Sequence, residues 1–275
     1  MRGTLWIVGT PIGNLGDMTA RAREVLAAVD LVAAEDTRRT GRLLQGFGIK
    51  KKKMVSLFDA NERERIERIL AALRDGSSVA LVSDAGMPLI SDPGYLLVKA
   101  CAEEDIDVRV VPGPSAALAG LVLSGLPTDR FTFEGFPPRK PGARIERLGA
   151  LRDDPRTIVC FEAPGRVKTL LRDVLVVLGD RRVAVCRELT KRHEEVIRGR
   201  VSEVLGGLGD DLKGEVVIVV EGAGEPAAAD LDVCVEEASR LVEGGMKKRE
   251  AARAVAERHH VSANAIYDAL LAGDG

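Results

Sequence analysis

The sequence predicts an α/β protein made of two α/β domains and a small helical tail at the C-terminus. Short apolar runs of strand length alternate with segments of helical periodicity along most of the chain. The chain has 275 residues, more than the ~100–200 residues of a typical domain. From Leu231 onward only helical periodicity remains. Strands that alternate with helices form mainly parallel sheets, so we expect helices on the faces of the sheet.

The first predicted domain spans residues 1–124. Its apolar runs predict four strands, at Leu5–Val8, Leu31–Ala34, Val79–Val82 and Val108–Val111. Apolar residues at helical spacing predict helices at Ala20–Val29 and Asn61–Leu73. Either Asp17 or Thr19 is expected to cap the first of these helices.

A second predicted domain, 125–229, begins where Gly125, Leu126 and Pro127 interrupt the helix that starts at Ser115. Strands are predicted at Thr157–Phe161, Val183–Cys186 and Val216–Val220, and helices at Ile145–Leu151, Val167–Leu178 and Val201–Leu208. The Gly, Pro and Ala content of Gly222–Asp230 indicates a linker.

The tail, 230–275, is predicted to contain two short helices, Lys247–Arg258 and Ala263–Leu271, with Ser262 as the N-cap of the second. The turn His259-His260-Val261-Ser262 separates them. Two helices around a tight turn are typical of a helix-turn-helix. A helical hairpin that binds nothing fits the pattern equally well.

Composition excludes several classes of protein. The formal net charge is -2, so no global positive field attracts a polyanion, and nucleic-acid binding would need local basic patches. The apolar runs are too short to span a bilayer or to form a signal peptide. The four cysteines are isolated and the three His form no cluster, which indicates reduced thiols in a cytoplasmic protein and no metal site.

Three loops of small residues follow predicted strands, at Gly9–Asp17, Ser83–Gly94 and Val111–Ala117. The first is not a GxGxxG motif and lacks the Lys of a P-loop, so a dinucleotide or NTP site is not indicated. Because parallel strands end at the same edge of a sheet, we expect the three loops to lie together. Ligands of open α/β sheets bind at that edge.

Six segments carry a resemblance to a known family. In chain order they are Gly9–Leu15, Ala34-Glu35-Asp36-Thr37-Arg38, Ser83–Gly94, Pro112–Ala116, Phe161–Arg166 and Glu188–Lys191. Together they resemble the tetrapyrrole-methylase superfamily of S-adenosylmethionine enzymes. Within it they are similar to the bacterial branch that 2′-O-methylates a cytidine of 16S ribosomal RNA. Two positions depart from the family pattern: Met87 stands where Thr is usual, and Gly165 where His is expected.

The resemblance implies that S-adenosylmethionine binds in a cleft between the two α/β domains, and that the protein is a homodimer. Asp84 is expected either to contribute to this site or to orient its own loop. The residues that the resemblance implies for cofactor binding are Pro11, Ile12, Gly13, Asp84, Ala85, Gly86, Met87, Ser115 and Ala116.

Methyl transfer to a ribose hydroxyl requires alignment of the reactants and removal of a proton. For this acceptor side we predict Glu35, Asp36 and Lys191 as catalytic residues. The alternative for Asp36 is that it caps a helix, and the alternative for Lys191 is a surface ion pair with neighbours such as Glu188.

The predicted RNA substrate, 16S rRNA in the small ribosomal subunit, needs cationic contacts. Aromatic residues are only 3% of the chain, which argues against a base-stacking platform. Two alternative functions stay open: a non-catalytic RNA- or ribosome-binding module on a methylase fold, and methylation of a small tetrapyrrole. The predicted RNA-binding residues are Arg38, Arg39, Lys51, Arg139, Lys140, Lys247 and Lys248.

Overall fold

The computed structural model describes residues 2–58, 62–209, 211–224, 231–259 and 261–272. Within these ranges the chain forms two five-stranded sheets, eleven α-helices and two short 3₁₀ helices, Leu15–Asp17 and Pro164–Arg166. The strands are β1 Thr4–Val8, β2 Leu31–Ala34, β3 Lys53–Ser56, β4 Val79–Val82, β5 Asp107–Val111, β6 Phe131–Phe133, β7 Thr157–Glu162, β8 Arg182–Arg187, β9 Glu195–Arg200 and β10 Val216–Val220. The helices are α1 Ala20–Ala28, α2 Thr37–Gly46, α3 Glu62–Arg74, α4 Tyr95–Glu103, α5 Ala116–Ser124, α6 Pro141–Gly149, α7 Val167–Val177, α8 Val201–Gly207, α9 Leu231–Glu243, α10 Lys248–His259 and α11 Ala263–Ala272.

The first sheet is parallel throughout, in the order β3-β2-β4-β1-β5, which confirms the predicted architecture of this half. One face, with Leu5 and Leu81, packs against α3 and α4. The other face, with Val8 and Val82, packs against α1 and α2. Every residue of β4 is buried, as expected for a strand covered on both faces. Strands β4, β1 and β5 are neighbours, so the loops that follow them leave the same edge.

The second sheet has the order β6-β7-β10-β8-β9 and is mainly antiparallel, since only β6 and β7 run parallel, so the expectation of a mainly parallel sheet is wrong for this half. Strand β9 follows β8 without an intervening helix, and the two form an antiparallel hairpin. The sequence pattern did not predict β9 because Glu195–Arg200 carries charges at both ends and a glycine inside.

Helix α5 lies on the second sheet although it follows β5 of the first sheet. Ala117 and Leu121 join Val159, Val217 and other residues of that sheet in one buried cluster. The approach is close at Gly120, where an added Cβ would lie 2.7 Å from Cγ1 of Val217. The predicted boundary between residues 124 and 125 therefore follows a helix that packs mainly on the later sheet, with Ile12 and Ala85 of the first-half loops in the same cluster.

Most predicted helices and strands are present, with shifted ends. Thr19, and not Asp17, caps α1, because its side chain accepts a hydrogen bond from the Ala22 amide at 3.1 Å. Ser115, the predicted first residue of its helix, is the N-cap of α5. Helix α6 begins at Pro141, four residues before the predicted start at Ile145, since proline is well accommodated in the first turn. Apolar residues at helical spacing begin only at Ile145, which explains why the predicted start of the helix lies after the observed one.

The chain divides into two compact units. The first consists of Met1–Arg152 with Arg156–Glu221 and holds both sheets; the second consists of Asp153–Pro155 with Gly222–Gly275. The predicted division into 1–124, 125–229 and 230–275 stays a prediction. Residues 225–230 of the predicted linker Gly222–Asp230 lie outside the described residues. The same holds for Asn61, the predicted first residue of the helix Asn61–Leu73, and for His260 of the predicted turn.

The second unit is built from helices α9, α10 and α11, which pack around Cys234, Val255 and Ile266. Ser262 accepts a hydrogen bond from the Ala265 amide at 3.4 Å and so caps α11, as predicted. None of the helices in the described part of the chain has the length and hydropathy needed to cross a bilayer.

We expect Gly120→Ala to lower the free energy of unfolding by about 1–3 kcal/mol, because its methyl group would press on the stiff side chain of Val217. Gly149→Ala is the matched control, since a Cβ there meets no atom within 4 Å and alanine favours the helix by ~0.5–1 kcal/mol. Urea unfolding of both variants measures the difference. Equal stability of the two would show that α5 does not depend on this close approach.

Candidate functional site

The loops after β1, β4 and β5 meet at the edge of the first sheet. The Gly9 amide donates to the Val111 carbonyl at 3.1 Å. Thr10 and Gly86 exchange backbone hydrogen bonds of 2.9 and 3.1 Å, which join the first loop to the second. The convergence of the three loops that the sequence predicted is therefore confirmed.

Glycines make this convergence possible. An added Cβ at Gly9 would lie 2.7 Å from the Cα of Gly113, and one at Gly113 would lie 2.9 Å from the Cα of Gly9. Gly86 has a φ of +80°, in the left-handed region that favours glycine. The backbones of the first and third loops thus touch where any side chain would separate them.

A cavity of about 420 Å³ opens beside these loops, a volume typical of small-molecule sites. It lies between the two halves of the first unit, since loops that follow strands of the first sheet line one side and residues of the second half line the other. From the first half come Ile12, Glu35, Arg39, Asp84, Ala85, Gly86, Met87, Ile90, Ser91, Asp92, Ser115 and Ala116; from the second half come Phe136, Phe161, Glu162, Ala163, Pro164, Leu189, Gly214, Glu215, Val216 and Val217.

Seven of the nine residues predicted to bind a cofactor line this cavity: Ile12, Asp84, Ala85, Gly86, Met87, Ser115 and Ala116. Pro11 and Gly13 do not, and they line a separate, neighbouring cavity. The two belong to the same loop as Ile12, but only Ile12 faces the first cavity.

A reciprocal set of hydrogen bonds connects the loop after β2 to the loop after β4. Glu35 Oε2 accepts from the Asp84 amide at 3.1 Å, and Asp84 Oδ1 accepts from the Asp36 amide at 3.2 Å. Asp84 Oδ2 also pairs with Arg39 at 3.0 Å. Both oxygens of Asp84 therefore hold neighbouring segments, which favours the expectation that it orients its loop.

Asp36 stands at the N-cap of α2, where its carboxylate accepts from the Arg38 amide at 2.8 Å and from the Arg39 amide at 3.4 Å. Hydrogen bonds from the Arg38 side chain and amide lower its pKa from 3.8 to about 2. A carboxylate with so low a pKa is a weak base, and Asp36 does not line the first cavity. Its catalytic role stays a prediction, and the geometry favours the capping alternative.

Lys191 lies beside the first loop. Its Nζ donates to Glu188 Oε1 at 2.9 Å and to Glu215 Oε2 at 3.2 Å. Burial of the amine works against its charge, but these hydrogen bonds outweigh burial and raise the pKa. Lys191 is therefore a cation at neutral pH and not a proton acceptor. The Lys191 stem lies against Gly13, where an added Cβ would be 2.5 Å from its Cγ.

Several cavity residues from the second half of the chain were not among the predicted site residues. Phe161 contacts Phe136 with ring centroids 5.5 Å apart, and both rings form an apolar wall. Glu162 is almost fully buried and accepts from Arg166 Nε at 2.7 Å. The segment Phe161–Arg166 did stand out in the sequence, but Glu215 carried no signal that pointed to a site.

The predicted RNA-binding cations are at separate places on the surface. Arg38, Arg39, Lys51, Arg139, Lys140 and Lys247 are exposed, whereas Lys248 is half-buried and donates to the Leu270 carbonyl at 3.1 Å. Two cations next to the predicted set are structural: Arg144 is buried against Asp173 at 2.6 Å, and Lys52 donates to carbonyls at the end of α1.

The four cysteines are all buried free thiols, in agreement with the prediction. Burial raises the pKa of Cys101 and of Cys186 to about 11, so neither is a nucleophile at neutral pH. Among the residues that the structure describes, no cluster of His, Cys, Asp or Glu is placed to hold a metal ion.

Comparison with solved structures identifies the class of fold. The uroporphyrin-III-C-methyltransferase from Thermus thermophilus superposes with a TM-score of 0.58 at 24% sequence identity, over 80% of this chain and 94% of that one. A diphthine synthase superposes with a TM-score of 0.59 at 16% identity, over 79% and 89% of the two chains. Both structural similarities are evidence for the fold alone.

The family follows from the sequence matches. Residues 4–205 match the model of the tetrapyrrole (corrin/porphyrin) methylases. The ribosomal RNA small subunit methyltransferase I of Escherichia coli O157:H7 is 46% identical over 100% of this chain and 96% of its own length. The protein of the same name from Xylella fastidiosa is 49% identical over 83% of this chain and 85% of its own. The chain belongs to the tetrapyrrole methylase family and is a methyltransferase, as the motifs indicated.

We expect the Asp36 carboxyl to stay ionised down to about pH 2. Its folded-state pKa lies below the ordinary value of 3.8, so its contribution to stability is complete above about pH 4 and is lost as the pH falls toward 2. Carboxyl-carbon NMR of protein labelled at Asp, assigned with Asp36→Asn, measures this titration. A midpoint at the ordinary value would contradict the capping geometry.

Proposed function

We propose that this protein transfers a methyl group from S-adenosylmethionine to the 2′-hydroxyl of a cytidine in 16S rRNA of the small ribosomal subunit. One observation carries the proposal: relatives 43–49% identical to it, several over nearly the whole chain, are ribosomal RNA small subunit methyltransferases. The choice of a cytidine ribose rests on the resemblance of motifs such as Ala34–Arg38 and Glu188–Lys191.

The first cavity suits the proposed cofactor in its chemistry. S-adenosylmethionine would supply a methyl group activated by a positively charged sulfonium. Five carboxylates line the cavity, those of Glu35, Asp84, Asp92, Glu162 and Glu215, and Arg39 is the one cation among its described lining residues. Arg39, Arg166 and Lys191 pair with Asp84, Glu162 and Glu215. The Glu35 carboxylate has no cationic partner among the described residues, which favours a cationic ligand. The wall of Phe136 and Phe161 suits a flat adenine, and the amides and carbonyls of the loops suit its polar edge.

In this proposal the backbone of residues 84–87 with Ile12, Ser115 and Ala116 binds the cofactor. The predicted contributions of Pro11 and Gly13 are then indirect, through the position of Ile12. Asp84 orients its loop through Asp36 and Arg39 and does not itself bind the sulfonium.

On the acceptor side, Glu35 is the best-placed candidate for the general base. Of the three predicted catalytic residues it alone lines the cavity, and one of its oxygens is anchored by the Asp84 amide. Lys191, held as a cation by Glu188 and Glu215, is placed to attract the ribose-phosphate backbone and to favour loss of the hydroxyl proton. Asp36 serves by holding α2 and its arginines in place.

The proposed function is tested by incubating the protein with small ribosomal subunits from cells that lack the gene and with S-adenosylmethionine labelled in its methyl group. We expect label in 2′-O-methylcytidine after digestion of the 16S rRNA to nucleosides, and a 2′-deoxy residue at the target position should abolish it.

Each alternative function has a different outcome in that experiment. Label on a base or on protein would contradict ribose methylation. Transfer to a corrin precursor with none to rRNA would favour the small-tetrapyrrole reaction. Absence of S-adenosylmethionine binding in calorimetry would favour a non-catalytic module.

We expect Glu35→Gln to lower kcat by about 10²–10⁴-fold, the range typical of a lost general base, with a much smaller rise in the Kd for S-adenosylmethionine from the lost negative charge. Asp36→Asn is the matched control, because asparagine caps a helix about as well as aspartate and its kcat should stay near that of the wild type. Single-turnover methyl transfer measures both. A larger loss in Asp36→Asn than in Glu35→Gln would reverse the assignment.

A further inference from the structure

The first unit contains a second cavity, also of about 420 Å³, which the donor site does not use. It lies between the first loop and helix α2 and shares only Arg39 and Asp84 with the first cavity. The Arg39–Asp84 ion pair therefore borders both spaces. The residues that line the second cavity are Pro11, Gly13, Leu15, Arg39, Thr40, Arg42, Leu43, Gly46 and Asp84.

Helix α2 forms one wall with a single stripe of its surface. Arg39, Arg42, Leu43 and Gly46 are spaced at i, i+3, i+4 and i+7, which places them on one face of the helix. The stripe combines two cations with an apolar side chain. Opposite it, Leu15 is 56% exposed, an unusual exposure for leucine that adds a second apolar surface.

The two arginines differ in what they contact. Arg39 is held by Asp84 at 3.0 Å. Arg42 is exposed and has no ion-pair partner among the residues that the structure describes. A guanidinium without an ion-pair partner, next to apolar side chains, has the chemistry needed to bind a nucleotide. The phosphate of a nucleotide pairs with arginine, and its base and sugar pack on apolar groups.

We propose that the second cavity binds a ribonucleotide of the acceptor RNA strand, with Arg42 on its phosphate and its base or sugar against Leu15 and Leu43. This inference rests on the proposed function and names where its substrate strand lies. An RNA strand bound in the second cavity would run along the Arg39–Asp84 pair, so that the 2′-hydroxyl of a neighbouring nucleotide lies at the donor cavity. Arg42 was not among the cations predicted from the sequence.

Two variants test the site by different means. Arg42→Ala removes the phosphate contact. Gly46→Leu fills the cavity, and it does so without strain, because a Cβ at Gly46 meets no atom within 4 Å and its φ is not in the left-handed region. Matched controls are Arg172→Ala, which removes an exposed arginine of α7, and Gly149→Leu, where a Cβ also meets no atom within 4 Å.

The measurements are the Kd for small ribosomal subunits without donor, the KM for them in methyl transfer, and the Kd for S-adenosylmethionine. We expect Arg42→Ala and Gly46→Leu to raise the first two by about ten-fold or more, with the third unchanged and with thermal unfolding midpoints like those of the controls. Arg42→Ala should also reduce the slope of log Kd against log salt concentration by about 1, as for one lost phosphate contact.

The outcomes separate this inference from the proposed function. If the wild type methylates the subunits and both variants keep its Kd and KM, the inference is wrong and the function stands. If the wild type binds the subunits with an affinity that depends on Arg42 but transfers no methyl group, the RNA site stands and the function fails. If the wild type neither binds nor methylates them, both are wrong.

Discussion

The contact between Gly9 and Gly113 is the constraint on which the site depends. It brings the backbones of the first and third loops together so closely that neither position has room for a Cβ. The second loop is then joined to the first by the paired hydrogen bonds of Thr10 and Gly86. Because β4, β1 and β5 are neighbouring parallel strands, these contacts gather three distant segments of sequence into one wall of a cavity.

A second set of interactions adds the segment after β2 to that wall. The carboxylates of Glu35 and Asp84 each accept the amide of the other's segment, and Asp84 also holds Arg39. These carboxylates are thus largely occupied in positioning backbone. Such bonds keep the start of α2 in place, and with it Arg39, which borders both cavities. The charged residues at this strand end therefore have a structural role in addition to the functional one that we propose.

The second half of the chain contributes the opposite wall, and the packing of α5 fixes where that wall lies. That helix begins at the third loop, yet it packs against β8 and β10 through Ala117, Gly120 and Leu121. Ser115 and Ala116, which line the cavity, are therefore held by the first sheet on one side and by the second on the other. This dual attachment makes the distance between the two walls a property of the packing of α5.

The sequence alone determined the parallel first sheet, the three loops at its edge, the family and the seven predicted cofactor residues that line the first cavity. Short apolar runs, glycines and helix caps act through neighbouring residues, so their consequences can be predicted locally. Only the tertiary structure decided the contacts of Asp36 and Lys191, the aromatic wall of Phe136 and Phe161, and the second cavity beside Arg42. Each depends on which groups from distant segments come within hydrogen-bond or van der Waals distance, and neither composition nor periodicity records those distances.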